Sequence, residues 1–191
     1  MKLLGLPDLF FHYGRIFVQP ALAIVAVIGF VSFAGGAESG ATVVASDASL
    51  SEIMATIVMP SADVLWNAVA VDVTANGTVL TAPETDADWQ HIRDSAVALV
   101  AVTDKLLNES LPISNAAPVE PPPGELGYAQ IGNLRKENWQ AWTAHVFVLH
   151  EVAQSSLKMI DAKDTEGLSE VGGALDEACE SCHLQFWYPE G

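Results

Sequence analysis

The chain has 191 residues, of which 50% are hydrophobic and 17% charged, and its formal net charge is −16. A chain of this length and composition can bury the core of one globular domain, which excludes disorder throughout. The acidic balance excludes electrostatic binding to the phosphates of nucleic acids or to an anionic membrane surface, and it favours partners with basic surfaces.

The first 37 residues are predicted to be a signal-anchor or a signal peptide. Lys2 and Arg15 precede an uncharged apolar run, residues 16–34, that is long enough to span a bilayer. The small residues 35–37 fit a signal-peptide cleavage site, so cleavage stays open, although the length of the apolar run favours an uncleaved anchor. Both alternatives place the rest of the chain outside the cytoplasm. We therefore predict a protein of the bacterial periplasm, anchored to the inner membrane if this segment is retained.

Beyond Ser49 the hydrophobic residues recur with helical spacing nearly throughout. Ser49 and Glu52 have the S-x-x-E pattern of a capping box, which predicts the start of a first helix over residues 50–72. Pro60 lies inside this helix and is expected to bend it or to leave a carbonyl without a donor.

Three further helices are predicted. Thr85 can cap the second, the third covers residues 133–161, and the fourth begins at Asp164 or Thr165. A proline-rich loop, residues 111–132, separates the second from the third. Four amphipathic helices without an alternating strand pattern predict an all-α fold, an antiparallel four-helix bundle.

The two cysteines of the chain lie three residues apart near its C-terminus, in the stretch ACESCH. On a helix, Cys179, Cys182 and the following His183 share one face, because successive residues are about 100° apart. Two thiols in this arrangement can add to the two vinyl groups of one porphyrin while the imidazole reaches its iron. The C-x-x-C-H pattern is therefore typical of covalent attachment of one haem c.

Other readings of the cysteine pair are a redox-active C-x-x-C or a disulfide followed by a chance histidine, and a zinc site. A thioredoxin-like pair opens a helix after a strand, whereas this pair closes the last predicted helix. A zinc site needs two further ligands at comparable spacing, and the chain has no other cysteine. Motif, helical context and export together favour haem.

A C-x-x-C-H motif at the end of a four-helix chain resembles the class II cytochromes c, which include cytochrome c′ and its low-spin relatives. The resemblance covers residues 48–188 apart from the proline-rich loop. It implies a haem between the first and last helices, with His183 as the proximal axial ligand and Phe186 as the aromatic residue that follows the motif.

The same resemblance implies, for the six-coordinate members, a distal axial methionine early in the first helix. Met54 occupies such a position, and Met59 cannot face the same way because it lies about 140° around the helix. Met54 is favoured over Met59, and the alternative is that both are packing residues. Ligation by His145 is a further alternative, although a core or interface histidine is favoured there.

One departure from the family concerns the haem propionates. Family members usually carry a basic residue on the first helix, whereas no lysine or arginine occurs here between Arg15 and Arg93. The open alternatives for a propionate partner are Arg93, Arg135, Lys136, an indole N–H, and water alone.

These features predict a membrane-tethered, one-haem electron carrier with His/Met ligation. It is not predicted to be an enzyme, because no acid–base or nucleophile constellation appears. Its expected partner is a redox protein with a basic docking surface. The alternatives are a five-coordinate protein that binds NO or CO and an accessory subunit of a membrane-bound electron-transfer complex. A homodimer also stays open.

Overall fold

The computed structural model describes residues 47–189, so the signal or anchor segment predicted over residues 1–37 lies outside the described part. No helix between residues 47 and 189 has the length and apolar character needed to cross a membrane. The fold is mostly helical and contains one small antiparallel sheet. In chain order its elements are α1 (Leu50–Ile53), a π-helical segment (Met54–Val58), α2 (Met59–Trp66), β1 (Ala70–Thr74), β2 (Gly77–Thr81), α3 (Asp86–Leu106), α4 (Tyr128–Glu137), α5 (Trp139–Ala162) and α6 (Thr165–Phe186).

The predicted capping box at the start of α1 is confirmed. The backbone amide of Ser49 donates to Glu52 Oε2 at 2.7 Å, and the Ser49 hydroxyl accepts from the Glu52 amide. The Ser49 hydroxyl also donates to Glu52 Oε2 at 2.6 Å, and this bond, together with the bond from the Ser49 amide, lowers the pKa of the Glu52 carboxyl. The amide of Leu50 donates to the carbonyl of Pro112 at 2.8 Å, so the loop after α3 also satisfies a free amide of this helix end.

The first helix continues through Pro60 by widening just before it. Proline has no N–H with which to satisfy a carbonyl one turn earlier. In the π-helical segment Met54–Val58, the amide of Met59 donates instead to the carbonyl of Met54. π-Helical segments are rare, and those that do occur are frequently found at functional sites. The irregular turn begins at Met54.

A β-hairpin follows the first helix, which ends at Trp66 and not at residue 72. Strands β1 and β2 are antiparallel, with Val71 opposite Leu80. Valine and threonine favour the extended conformation, and the Asn76-Gly77 pair lies where the chain reverses. The hairpin is exposed: Val73 keeps 83% of its surface. An all-α fold thus describes most of the structure, but the prediction missed the β-hairpin.

The second half of the described chain agrees closely with the predicted helices. Thr85 caps α3 in a second capping box, with Asp88 as its partner, and Asp164 caps α6. The predicted third helix is divided into α4 and α5 at Asn138, whose φ of −121° and ψ of 38° are not helical. Residues 107–127 form the loop between α3 and α4.

The long helices pack around one apolar interior. α3 packs against α5, α5 against α6, and α2 against both α3 and α6. The largest apolar side chains that are almost fully buried come from α1, α3 and α6; they are Ile53, Leu99, Leu106, Leu168 and Leu175. Burial of such side chains stabilises the fold by about 1.5–3 kcal/mol each.

Contacts across the interior show which helix ends meet. The Trp142 indole, near the start of α5, donates to the carbonyl of Leu106 at the end of α3 at 2.8 Å. Its ring lies 5.2 Å from that of Phe186 at the end of α6. The start of α1 bonds to Pro112, shortly after α3. The first turns of α1 and α5 and the last turns of α3 and α6 are therefore at the same end of the fold.

Candidate functional site

The C-x-x-C-H motif lies in the last turns of α6. Cys179, Cys182 and His183 are all half-buried. Both cysteines are free thiols, and both border the main apolar core. The helix places the three side chains on one face, as predicted.

The pKa of each thiol opposes the redox alternative. Burial, helped by the nearby Asp176, raises the pKa of Cys179 to about 11. Burial, helped by Cys179, raises the pKa of Cys182 to about 12. Both groups are therefore protonated at neutral pH, whereas a thioredoxin-like pair depends on a thiol with a lowered pKa. Their position at the end of a helix also denies them the positive end of the helix dipole.

His183 is suited to coordinate a metal ion. Burial lowers its pKa and outweighs the opposing effect of the Glu180 carboxylate. The imidazole is thus neutral at neutral pH and offers a lone pair, as coordination requires. Two aromatic rings stand beside it: the ring centroids of Trp187 and Tyr188 lie 5.0 Å and 6.0 Å from that of His183.

His145 is engaged between α5 and α6. Its Nε2 lies 2.8 Å from Oε1 of Gln185, and its Nδ1 lies 3.4 Å from Oγ of Ser181. At about 100° per residue, His183 is about 160° around α6 from both Ser181 and Gln185. Ser181 and Gln185, the α6 residues closest to the two ring nitrogens of His145, therefore lie on the side of α6 opposite to His183, which supports an interface role for His145.

Phe186 anchors the end of α6 in the core. It is 2% exposed, and its ring packs edge-on against Trp142 and His145 at centroid distances of 5.2 Å and 6.0 Å. Trp142 is itself held by its hydrogen bond to the carbonyl of Leu106. The turn that carries Cys182 and His183 is consequently fixed against α5 and α3.

The two candidate methionines differ in environment. Met54 is partly buried and packs against the same core that Cys179 and Cys182 border, whereas Met59 is 42% exposed. Met54 also begins the π-helical segment, which packs against α3, while the packing of the first helix on α6 comes from α2. Met54 is thus at the same end of the fold as His183, on a turn that is not packed tightly against α6.

The candidate partners of the haem propionates differ in their exposure and in the contacts that they already make. Arg93 pairs with a carboxylate of α5 at 2.8 Å, and Lys136 is exposed. Arg135 is 2% exposed, donates to two carbonyls of the 107–127 loop, and lies 5.6 Å from the Trp142 ring centroid. Burial lowers its pKa. Trp66 has a buried indole N–H without an acceptor among residues 47–189.

The segment after α6 makes contacts that the sequence did not predict. The Trp187 indole donates to Glu125 Oε2 at 2.7 Å, and its carbonyl accepts from the amide of Leu126 at 2.8 Å. The Tyr188 hydroxyl donates to Glu180 Oε2 at 2.7 Å. The unusual length of the proline-rich loop was the only indication that it would contact another part of the chain.

Within residues 47–189 no three histidine, cysteine, aspartate or glutamate side chains converge on a common point where they could hold a metal ion. Comparisons with protein-family models, curated proteins and solved structures find no match to this chain. The functional residues are therefore inferred from their own chemistry and geometry.

Proposed function

We propose that this chain is a one-haem c-type cytochrome of the class II kind that carries single electrons. The observation that carries the proposal is the joint placement of two free, protonated thiols and a neutral imidazole on one face of the last turns of α6. Cys179 and Cys182 would hold the haem through thioether bonds, and His183 would be the proximal ligand of its iron. When bound, the haem supplies a one-electron Fe(II)/Fe(III) couple.

The residues around the motif fit this cofactor. Thioether formation adds the S–H of a thiol across the C=C bond of a vinyl group, and Cys179 and Cys182 are both free thiols. Phe186 holds the motif turn against the core, so that the positions of the two sulfurs and the imidazole are fixed by packing. His183 lies on the side of α6 opposite to Ser181 and Gln185, the residues that His145 of α5 contacts, and the proposed haem would lie on that side, toward the first helix.

The helix packing supports the finer description of the fold as a four-helix bundle. The contacts run from α2 to α3, from α3 to α5, from α5 to α6, and from α6 back to α2. A closed ring of four neighbouring helices is the arrangement of such bundles, and ligand sites in them are built from side chains on facing helices. A haem between the first and last helices agrees with this arrangement.

Met54 is the proposed distal ligand. It is partly buried at the end of the fold that carries His183, and the irregular turn that it begins can adjust the position of its side chain. A thioether ligand stabilises ferrous iron and raises the reduction potential. With both axial positions filled by protein side chains, the site would suit electron transfer and would not bind a small ligand.

The proposed location is the periplasm, with a tether to the inner membrane if residues 1–37 are retained. This element of the proposal comes from the uncharged run over residues 16–34. The net charge of −16 supports a partner with a basic docking surface.

The absorption spectrum of the purified protein tests the electron-carrier function. Ferric and ferrous protein should both give low-spin spectra, and carbon monoxide should leave the ferrous spectrum unchanged, because the two axial positions are occupied. A high-spin ferrous spectrum that shifts when carbon monoxide is added would contradict the carrier proposal and would support gas binding.

A further inference from the structure

One exposed face of α6 combines apolar and acidic side chains near the motif. We name it the C-terminal face of α6 and define it by Asp176, Glu177, Glu180, Leu184 and Trp187. The first four lie within an arc of about 100° around the helix, and Trp187 follows its last residue. Leu184 and Trp187 keep 41% and 39% of their surfaces exposed, and the three acidic residues are also exposed. The face therefore has an apolar centre with carboxylates around it.

No basic side chain from the adjacent segments balances these carboxylates. The chain has no lysine or arginine after Lys163, and none between Lys105 and Arg135, the stretch that contains the loop packed on Trp187. Glu125 of that loop adds a carboxylate, since it accepts the Trp187 indole hydrogen bond. The local field at this face is therefore negative and extends across both segments.

The carboxylates oppose the stability of the helix that bears them. Asp176 and Glu180 are four residues apart, a spacing at which like charges repel on a helix. Helix stability therefore does not account for the acidic residues, whereas lysines or arginines of a partner would relieve this repulsion.

The same face lies next to the proposed proximal ligand. The Trp187 ring is edge-on to that of His183 at a centroid distance of 5.0 Å. The Tyr188 hydroxyl donates a hydrogen bond to Glu180, and the Tyr188 ring lies beside the imidazole of His183. Tyr188 therefore connects one of the acidic residues of this face to the surroundings of the imidazole. A protein seated on Leu184 and Trp187 would thus be one aromatic ring away from His183.

We propose that the C-terminal face of α6 is the docking surface for a basic redox protein, with Leu184 and Trp187 at its centre and Glu125 and Glu180 on its rim. The inference rests on the proposed function. In each encounter one electron passes between the two proteins, so that one is oxidised as the other is reduced. Charge complementarity identifies the occupant, because a lysine- or arginine-rich surface matches this face and an acidic second copy of the chain does not.

The test measures binding of the haem-loaded protein to a lysine-rich mitochondrial cytochrome c, used as the probe, at low ionic strength. In the double variant Glu125→Gln, Glu180→Gln, each amide keeps an oxygen that can accept from Trp187 or Tyr188. We expect its affinity to fall about tenfold, as is typical when two rim charges are removed at low salt. The control Glu84→Gln, Asp72→Asn removes the same number of exposed charges from the start of α3 and the hairpin, away from this face, and should change the affinity less than about twofold.

A second variant separates docking from general charge effects. Leu184→Gln leaves the net charge unchanged and should weaken binding without altering its dependence on salt, since that dependence reports the charges. Equal weakening in the two double variants, or full binding by Leu184→Gln, would overturn the docking surface. Measuring haem content in each variant separates that result from failure of the proposed function, which would appear as a protein without covalent haem.

Discussion

Replacing both cysteines, Cys179→Ser together with Cys182→Ser, is expected to abolish covalent haem attachment. A serine hydroxyl does not form the thioether that links a thiol to a porphyrin vinyl group. After denaturation and extraction with acidified organic solvent, the double variant should retain no haem, and its intact mass should equal that of the polypeptide alone. The wild-type protein should retain one haem through the same treatment.

The single variants and a neighbouring serine provide the controls. Cys179→Ser and Cys182→Ser each leave one thiol, so each should hold haem through one thioether and keep it on denaturation. Ser181→Ala changes one of the two exposed residues between the cysteines and should leave haem content unchanged. Haem that survives denaturation of the double variant would show that the attachment does not depend on these thiols.

Met54→Ala is expected to open the sixth coordination position of the iron. Met54 is the methionine that faces the core at the end of the fold carrying His183, so its removal should leave one axial site free. The ferrous variant should become high-spin and bind carbon monoxide, and its reduction potential should fall because the thioether ligand is lost. Difference spectra recorded with and without carbon monoxide measure the change.

Two variants control for this result. Met59→Ala removes the other methionine of the first helix, which is 42% exposed, and should leave the spectrum low-spin. His145→Ala should do the same, because the His145 ring is engaged with Gln185 and Ser181 on the opposite side of α6. A Met54→Ala protein with an unchanged spectrum would remove Met54 as the ligand, and an open site in either control would identify the alternative.

The parts of the fold that the sequence predicted depend on local interactions. Ser49 and Thr85 each begin a helix because their side chains and a carboxylate three residues later satisfy the first free amides. The hairpin over residues 70–81 was missed because the predicted first helix was extended to residue 72, over most of the first strand, and the residues after it were taken as a connection, although an Asn-Gly pair between β-branched residues favours a hairpin. Asn138 interrupts a helix that periodicity alone shows as continuous.

The candidate site also combines features that follow from local sequence with features that depend on packing between distant parts of the chain. The shared face of Cys179, Cys182 and His183 follows from helix geometry and a three-residue spacing, so sequence alone could predict it. The pairing of Trp187 with Glu125 joins residues far apart in the chain, and it depends on how a long loop packs on α6. The π-helical turn at Met54 likewise depends on how the helix accommodates a proline within its packing.

The most direct test of the central claim is the reduced absorption spectrum of the denatured wild-type protein in alkaline pyridine. In this solvent the axial ligands are replaced, so that the spectrum reports only how the porphyrin is bonded to the chain. We predict the spectrum of a haem with both vinyl groups saturated by thioether bonds, in the amount of one haem per chain. A preparation without haem, or with haem whose vinyl groups are both intact, would contradict the assignment of Cys179 and Cys182 as the residues that attach a haem.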